Sequence, residues 1–201
     1  MKIVVLAEKV AFDIIRTNNL NANWVRVDSV ESFSAHSDAD AFFDLTQNSN
    51  LPVYPEIDQP LFVNSVLHTI GANKNIIRIN GWVGFLQNSS WEIAGTLNEK
   101  AKNVLDFLNK KVIETADEPG FISARIIAMI INEAYYAKEE NVSTEAEIDT
   151  AMKLGTNYPY GPFEWAEKIG LKNIYSLLSV LSLNDKRYTP AALLAKVAVE
   201  K

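Results

Sequence analysis

The chain has 201 residues, 48% apolar and 22% charged, with a formal net charge of −6 and no cysteine. That balance suits a globular chain with a real core, and the lack of cysteine excludes disulfides, thiolate catalysis and zinc–thiolate centres. Net negative charge argues against nucleic acid, whose phosphates call for a basic face.

Taken in chain order, residues 3–6 form a β-branched and apolar run suited to a buried parallel strand. The run is too short, and meets charge too early, for a signal peptide or a membrane span, so a cytoplasmic location and no membrane partner are expected. A helix is expected over 9–16, with strands over 24–27, 41–45, 61–63, 76–79 and 91–94. Residues 46–60, with Asn48, Ser49, Asn50 and three prolines, read as a loop. A short helix is expected over 66–70, with Ser65 at its N-cap. Strands separated by helices and loops point to a mostly parallel α/β sheet.

The character changes near Thr96. Apolar residues at 97, 101, 104, 105 and 108 make a helical stripe. Lys100, Lys102, Lys110 and Lys111, interspersed with Glu99, Asp106 and Glu114, read as its solvated face and exit. Residues 112–113 are a short extended piece. Further helices are expected over 121–138, from Thr144 (N-cap Ser143, with Ala146 at the third position and the capping box incomplete) to Gly155, over 162–166, and over 174–183 and 190–199. The organisation expected is a shortened α/β domain over 1–111 and an all-helical domain over 112–201.

The second domain carries four linked motifs. They are Asp117-Glu118-Pro119-Gly120-Phe121-Ile122-Ser123-Ala124-Arg125, Asn132-Glu133-Ala134, Ile148-Asp149-Thr150-Ala151-Met152-Lys153-Leu154-Gly155, and Asn157-Tyr158-Pro159-Tyr160-Gly161-Pro162-Phe163-Glu164. In this order and spacing they resemble the helical C-terminal domain of 3-hydroxyacyl-CoA dehydrogenases. The resemblance implies a Rossmann-like first domain that binds NAD, oxidation of a CH–OH group in acyl-CoA (fatty-acid) metabolism, and a homodimer formed through the helical half.

The residues the resemblance calls for are only partly present. A dinucleotide fold opens with G-x-G-x-x-G after its first strand, so that backbone N–H groups approach the pyrophosphate. Here Ala7-Glu8-Lys9-Val10-Ala11-Phe12 stands there, with no glycine in the first 70 residues. No NAD is therefore expected in the usual mode, although Asp28, ending the second strand, stands where a ribose-binding acid belongs. The resemblance places a catalytic histidine twelve residues before a glutamate; Glu92 is present, but Asn80 occupies the histidine's place, and an amide accepts no proton near neutral pH. Ala124 replaces an asparagine that would help hold the substrate carbonyl. Asn64 and Ser65 match the family's N-T-S-S turn, Ser65 being a candidate contact for the 3-oxygen or simply a helix cap. His68 would reach the crevice only if its helix tilted. No metal site is expected. Three functions stay open: an impaired relative binding an acyl-CoA-type small molecule, an active dehydrogenase with an altered site, and a structural homodimer or partner subunit.

Overall fold

In a computed structural model, residues 1–46, 51–71 and 75–200 are described; Asn48, Ser49 and Asn50 of the expected loop lie outside them. The chain divides into two units, Met1–Phe121 and Ile122–Lys201.

The first unit is built on seven strands: β1 (Lys2–Leu6), β2 (Asn23–Val27), β3 (Ala41–Asp44), β4 (Leu61–Asn64), β5 (Ile76–Ile79), β6 (Ser90–Ala94) and β7 (Lys111–Glu114). Their order is β2-β1-β3-β4-β5-β6-β7. β1 to β5 are mutually parallel, β6 runs against β5, and β7 pairs parallel to β6. The extended piece at Val112 and Ile113 is thus the last strand of this sheet, and the first unit includes it.

Alternation along the strands makes two cores. Ile3, Val5, Ala41, Phe43, Phe62, Ile77, Ile79 and Ile93 face α1 (Lys9–Ile15) and α2 (Glu99–Phe107), whose Ile15, Ala101, Val104 and Leu105 bury against them. Val4, Leu6, Phe42, Leu61, Val63 and Ile76 face the other way. That side is covered by a 3-10 turn bearing Phe33 and by Leu51, Tyr54 and Ile57. A doubly wound sheet normally carries helices on both faces. Here the described part of the β3–β4 connection contains Pro52, Pro55 and Pro60, each lacking the N–H a helix interior needs, and it forms no helix.

Two local expectations are corrected. Residues 66–70 make bends and no helix, so Ser65 caps nothing. Lys110 is not on a solvated face: it is 6% exposed, and its ammonium sits 4.7 Å from the Trp91 ring centre, donating to the carbonyls of Leu86 (3.3 Å) and Asn88 (2.5 Å). Burial pulls its pKa down to about 8.

The second unit is helical: α3 (Ser123–Glu139), α4 (Glu145–Thr156), α5 (Pro162–Ile169), α6 (Leu171–Ser182) and α7 (Ala192–Glu200), with α3 touching the other four. The N-cap of α4 is Thr144, one residue later than Ser143, and its capping box is complete: Thr144 Oγ1 accepts from Glu147 N–H, and the Glu147 carboxylate accepts from Thr144 N–H. Ser143 instead donates its hydroxyl to that carboxylate at 2.7 Å. The helix passes Gly155 and stops at Asn157, which takes the left-handed conformation at φ 56°. Among the described residues no helix is long and apolar enough to cross a membrane.

Candidate functional site

The parallel strands end at one edge of the sheet, the edge where open α/β sheets bind ligands. Three polar residues finish strands there: Asp44 on β3, Asn64 on β4 and Asn80 just past β5. Because β6 runs antiparallel with Ile79 opposite Ile93, residue 80 falls opposite residue 92. The twelve-residue spacing thus becomes a facing pair: Asn80 Nδ2 donates to Glu92 Oε2 at 3.3 Å, with both side chains buried. Asn80 Oδ1 in turn accepts from Trp82 N–H at 3.4 Å. Both ends of the amide are therefore engaged with protein, and an amide at this point can orient an oxygen but cannot take its proton.

Asn64 lies beside this pair. Its Oδ1 accepts from the Gly81 N–H at 3.0 Å, and a Cβ on Gly81 would come within 2.7–2.9 Å of the Asn64 side chain. Gly81 is therefore part of the site, which sequence reasoning passed over; its only signal was a glycine directly after a strand end. Ser65 turns its hydroxyl to the His68 carbonyl at 2.8 Å, and its own carbonyl accepts from Arg78 Nε.

The cofactor turn follows β1. Glu8 is the N-cap of α1 in extended conformation, with no side-chain cap bond, and α1 is seven residues long. No residue from 7 to 12 has the positive φ that glycines bring to a phosphate-binding turn. Every residue there carries a Cβ, and Glu8, exposed at the helix start, adds a negative charge. Asp28, one residue past β2, is exposed and paired with Arg26 of that strand at 3.0 Å. These residues do not fit a dinucleotide. Ala124 is fully buried in α3 of the second unit. Among the described residues no group of three His, Asp or Glu side chains could hold a metal ion.

A second missed feature is Arg78, the one charge in an isoleucine-rich strand and 0% exposed. It donates to the carbonyls of Ser65 (2.8 Å) and Glu118 (3.2 Å) and to Asp117 Oδ1 (2.5 Å), and its guanidinium lies 4.6 Å from the Phe121 ring centre. Asp117 also accepts from the N–H groups of Ile70 and Gly71, both at 3.1 Å. Two residues of the first motif, Asp117 and Phe121, thus form a socket for Arg78.

The other motifs are architectural in the same sense. Asp149 on α4 caps α5 from outside, accepting from Phe163 N–H (2.8 Å) and Glu164 N–H (3.2 Å). Gly161 is required because a Cβ there would collide with Asp149. Glu164 accepts from Gly161 N–H at 3.0 Å. Asn132 bridges the Thr189 carbonyl (2.9 Å) and the Ala191 N–H (2.8 Å), fixing the start of α7.

Comparison with known proteins agrees with the division. Residues 120–201 match the family model of the 3-hydroxyacyl-CoA dehydrogenase C-terminal domain. The chain is 44% identical over 102 residues to a 3-hydroxyadipyl-CoA dehydrogenase of Escherichia coli K12, covering 50% of this chain and 22% of that protein. It is 41% identical over 106 residues to a probable 3-hydroxybutyryl-CoA dehydrogenase of Bacillus subtilis, covering 50% and 37%. The matches thus span well under half the length of these relatives. Among solved structures, 3-hydroxybutyryl-CoA dehydrogenase of Escherichia coli K12 aligns with a TM-score of 0.61 at 35% identity, over 72% of this chain and 33% of that one. The Ralstonia eutropha (S)-3-hydroxybutyryl-CoA dehydrogenase PaaH1 aligns with 0.72 at 20% identity, over 99% and 93%, a likeness of fold.

Proposed function

This chain belongs, through its helical half, to the 3-hydroxyacyl-CoA dehydrogenase family, and from that premise we propose that it is a catalytically impaired member which binds an acyl-CoA-type small molecule. The observation that carries this reading is the Asn80–Glu92 pair, which keeps the family's carboxylate and its partner position but has no proton acceptor at residue 80. The glycine-free turn at residues 7–12 supports it independently, since hydride transfer to NAD requires the dinucleotide to be held.

The test is turnover of 3-hydroxybutyryl-CoA with NAD, followed as NADH formation, together with calorimetric titration of acetoacetyl-CoA. The expected outcome is no turnover and saturable binding of acetoacetyl-CoA. Turnover abolished by Glu92→Gln would overturn the reading in favour of an active enzyme with an altered site. A structural dimer is the second reading, favoured by Ile122, the N-cap of α3, and Ile126 four residues on, each 51% exposed. It is supported instead if neither ligand binds and the protein sediments as a dimer.

A further inference from the structure

Among the described residues β2 is the outermost strand on its side of the sheet, paired with β1 alone. A doubly wound dinucleotide-type sheet sets its third strand outside the second. Here residues 28–40 lead from β2 to β3 on the far side of β1, with one 3-10 turn (Glu31–Ala35) and no strand. The outer edge of β2 is therefore open. Which groups line it follows from one bond. Asn23 N–H donates to the Met1 carbonyl at 2.9 Å, so residues 23, 25 and 27 turn their backbone groups to β1, and Trp24 and Arg26 turn theirs outward. Open edges are usually blunted by proline, a bulge or unpaired charge. β2 has no proline and its register with β1 is unbroken, and its one charge, Arg26, is paired with Asp28 at 3.0 Å. Trp24 and Arg26 share the sheet face of Ile3 and Val5, and Val25 shares that of Val4.

We infer that this edge takes the β2 strand of a second copy of this chain, antiparallel, about a two-fold axis at Val25. An antiparallel pair must set outward-turned residues against each other. With Trp24 opposite Arg26 of the second copy, that condition holds for both outward residues, and symmetry repeats the pair. Each pair exchanges both of its N–H···O=C bonds and lays a guanidinium beside an indole, a favourable cross-strand contact. The neighbouring registers are worse. Centred on Arg26, the strands would oppose the two guanidinium groups directly; centred on Trp24, Arg26 would face Ala22, outside the strand. The pairing joins two sheets edge to edge. It involves neither the helical half nor the ligand proposed above, so its failure leaves the proposed function standing.

The chain contains no cysteine, so Val25→Cys introduces a single thiol for disulfide trapping in the full chain. In the inferred register residue 25 meets its own counterpart in a non-hydrogen-bonded pair, with Cα atoms about 4.5 Å apart, within disulfide reach. Under mild oxidation Val25→Cys should form a covalent dimer roughly tenfold faster than Leu20→Cys, an exposed site with no counterpart near it, because pairing raises the effective thiol concentration. Adding Arg26→Pro, which removes an N–H turned away from β1, should abolish that advantage while thermal unfolding shows the chain still folded. Arg26→Gln, which removes the cation alone, should reduce it and serves if the proline variant does not fold. Equal cross-linking of Val25→Cys and Leu20→Cys would overturn the inference. So would an advantage that survives Arg26→Pro in a folded chain.

Discussion

At the scale of single residues, the chain shows how position, and not type, decides what a charge does. Lys110 and Lys111 are neighbours, yet Lys111 is exposed while Lys110 lies under Trp91 with its pKa pulled down to about 8 by burial. The unfolded chain holds that proton to about 10.4, so between these values the unfolded state binds more protons and stability rises with pH. Denaturant unfolding of the protein and of Lys110→Met should show the difference narrowing in the protein's favour from pH 7.5 to roughly pH 10. A difference independent of pH would contradict the assignment. Arg78 poses the opposite case, a permanent charge with its partners in place. Asp117→Ala leaves it buried without its counter-charge, at an expected cost of about 3 kcal/mol, reduced where water reaches the partly exposed Asp117 position and by the carbonyls that still accept from Arg78. Gly81→Ala should displace Asn64 and weaken ligand binding, with little effect on the second unit.

At the scale of elements, most of the strands and helices were legible because the apolar spacing is regular and tertiary packing followed it. Strand β6 and helix α2 are clear examples, with Trp91, Ile93, Val104 and Leu105 all buried where alternation and a helical stripe put them. What could not be read were features that depend on distant partners. The cap is an exception, legible locally and passed over: Thr144 stands three residues before Glu147, the capping-box spacing, whereas Ser143 stands three before Ala146. Thr144→Ala should cost about 1 kcal/mol, and Ser143→Ala less, because Ser143 only donates to an exposed carboxylate. The 66–70 stretch was misread because its partners are distant. Its backbone is committed elsewhere: the Val66 carbonyl accepts from Gly120 N–H at 2.7 Å, and the Ile70 and Gly71 N–H groups reach Asp117. The Asn80–Glu92 pairing was legible through the family resemblance, which supplies the twelve-residue spacing, whereas the roles of Gly81, Arg78 and Lys110 required the fold.

At the scale of the whole molecule, the two units differ in what their recognisable residues do. In the second, Asp149, Gly161, Glu164 and Asn132 hold helices to one another, and such contacts persist without any chemistry. In the first, the parallel strands end at the edge where open α/β sheets bind ligands, while no residue of the turn at 7–12 has the positive φ of a phosphate-binding turn. The central claim is that this unit does not hold a dinucleotide, and direct titration of the protein with NADH, by calorimetry or by quenching of tryptophan fluorescence, tests it most directly. The account predicts no saturable signal up to millimolar NADH; a stoichiometric complex with a dissociation constant in the micromolar range would contradict it.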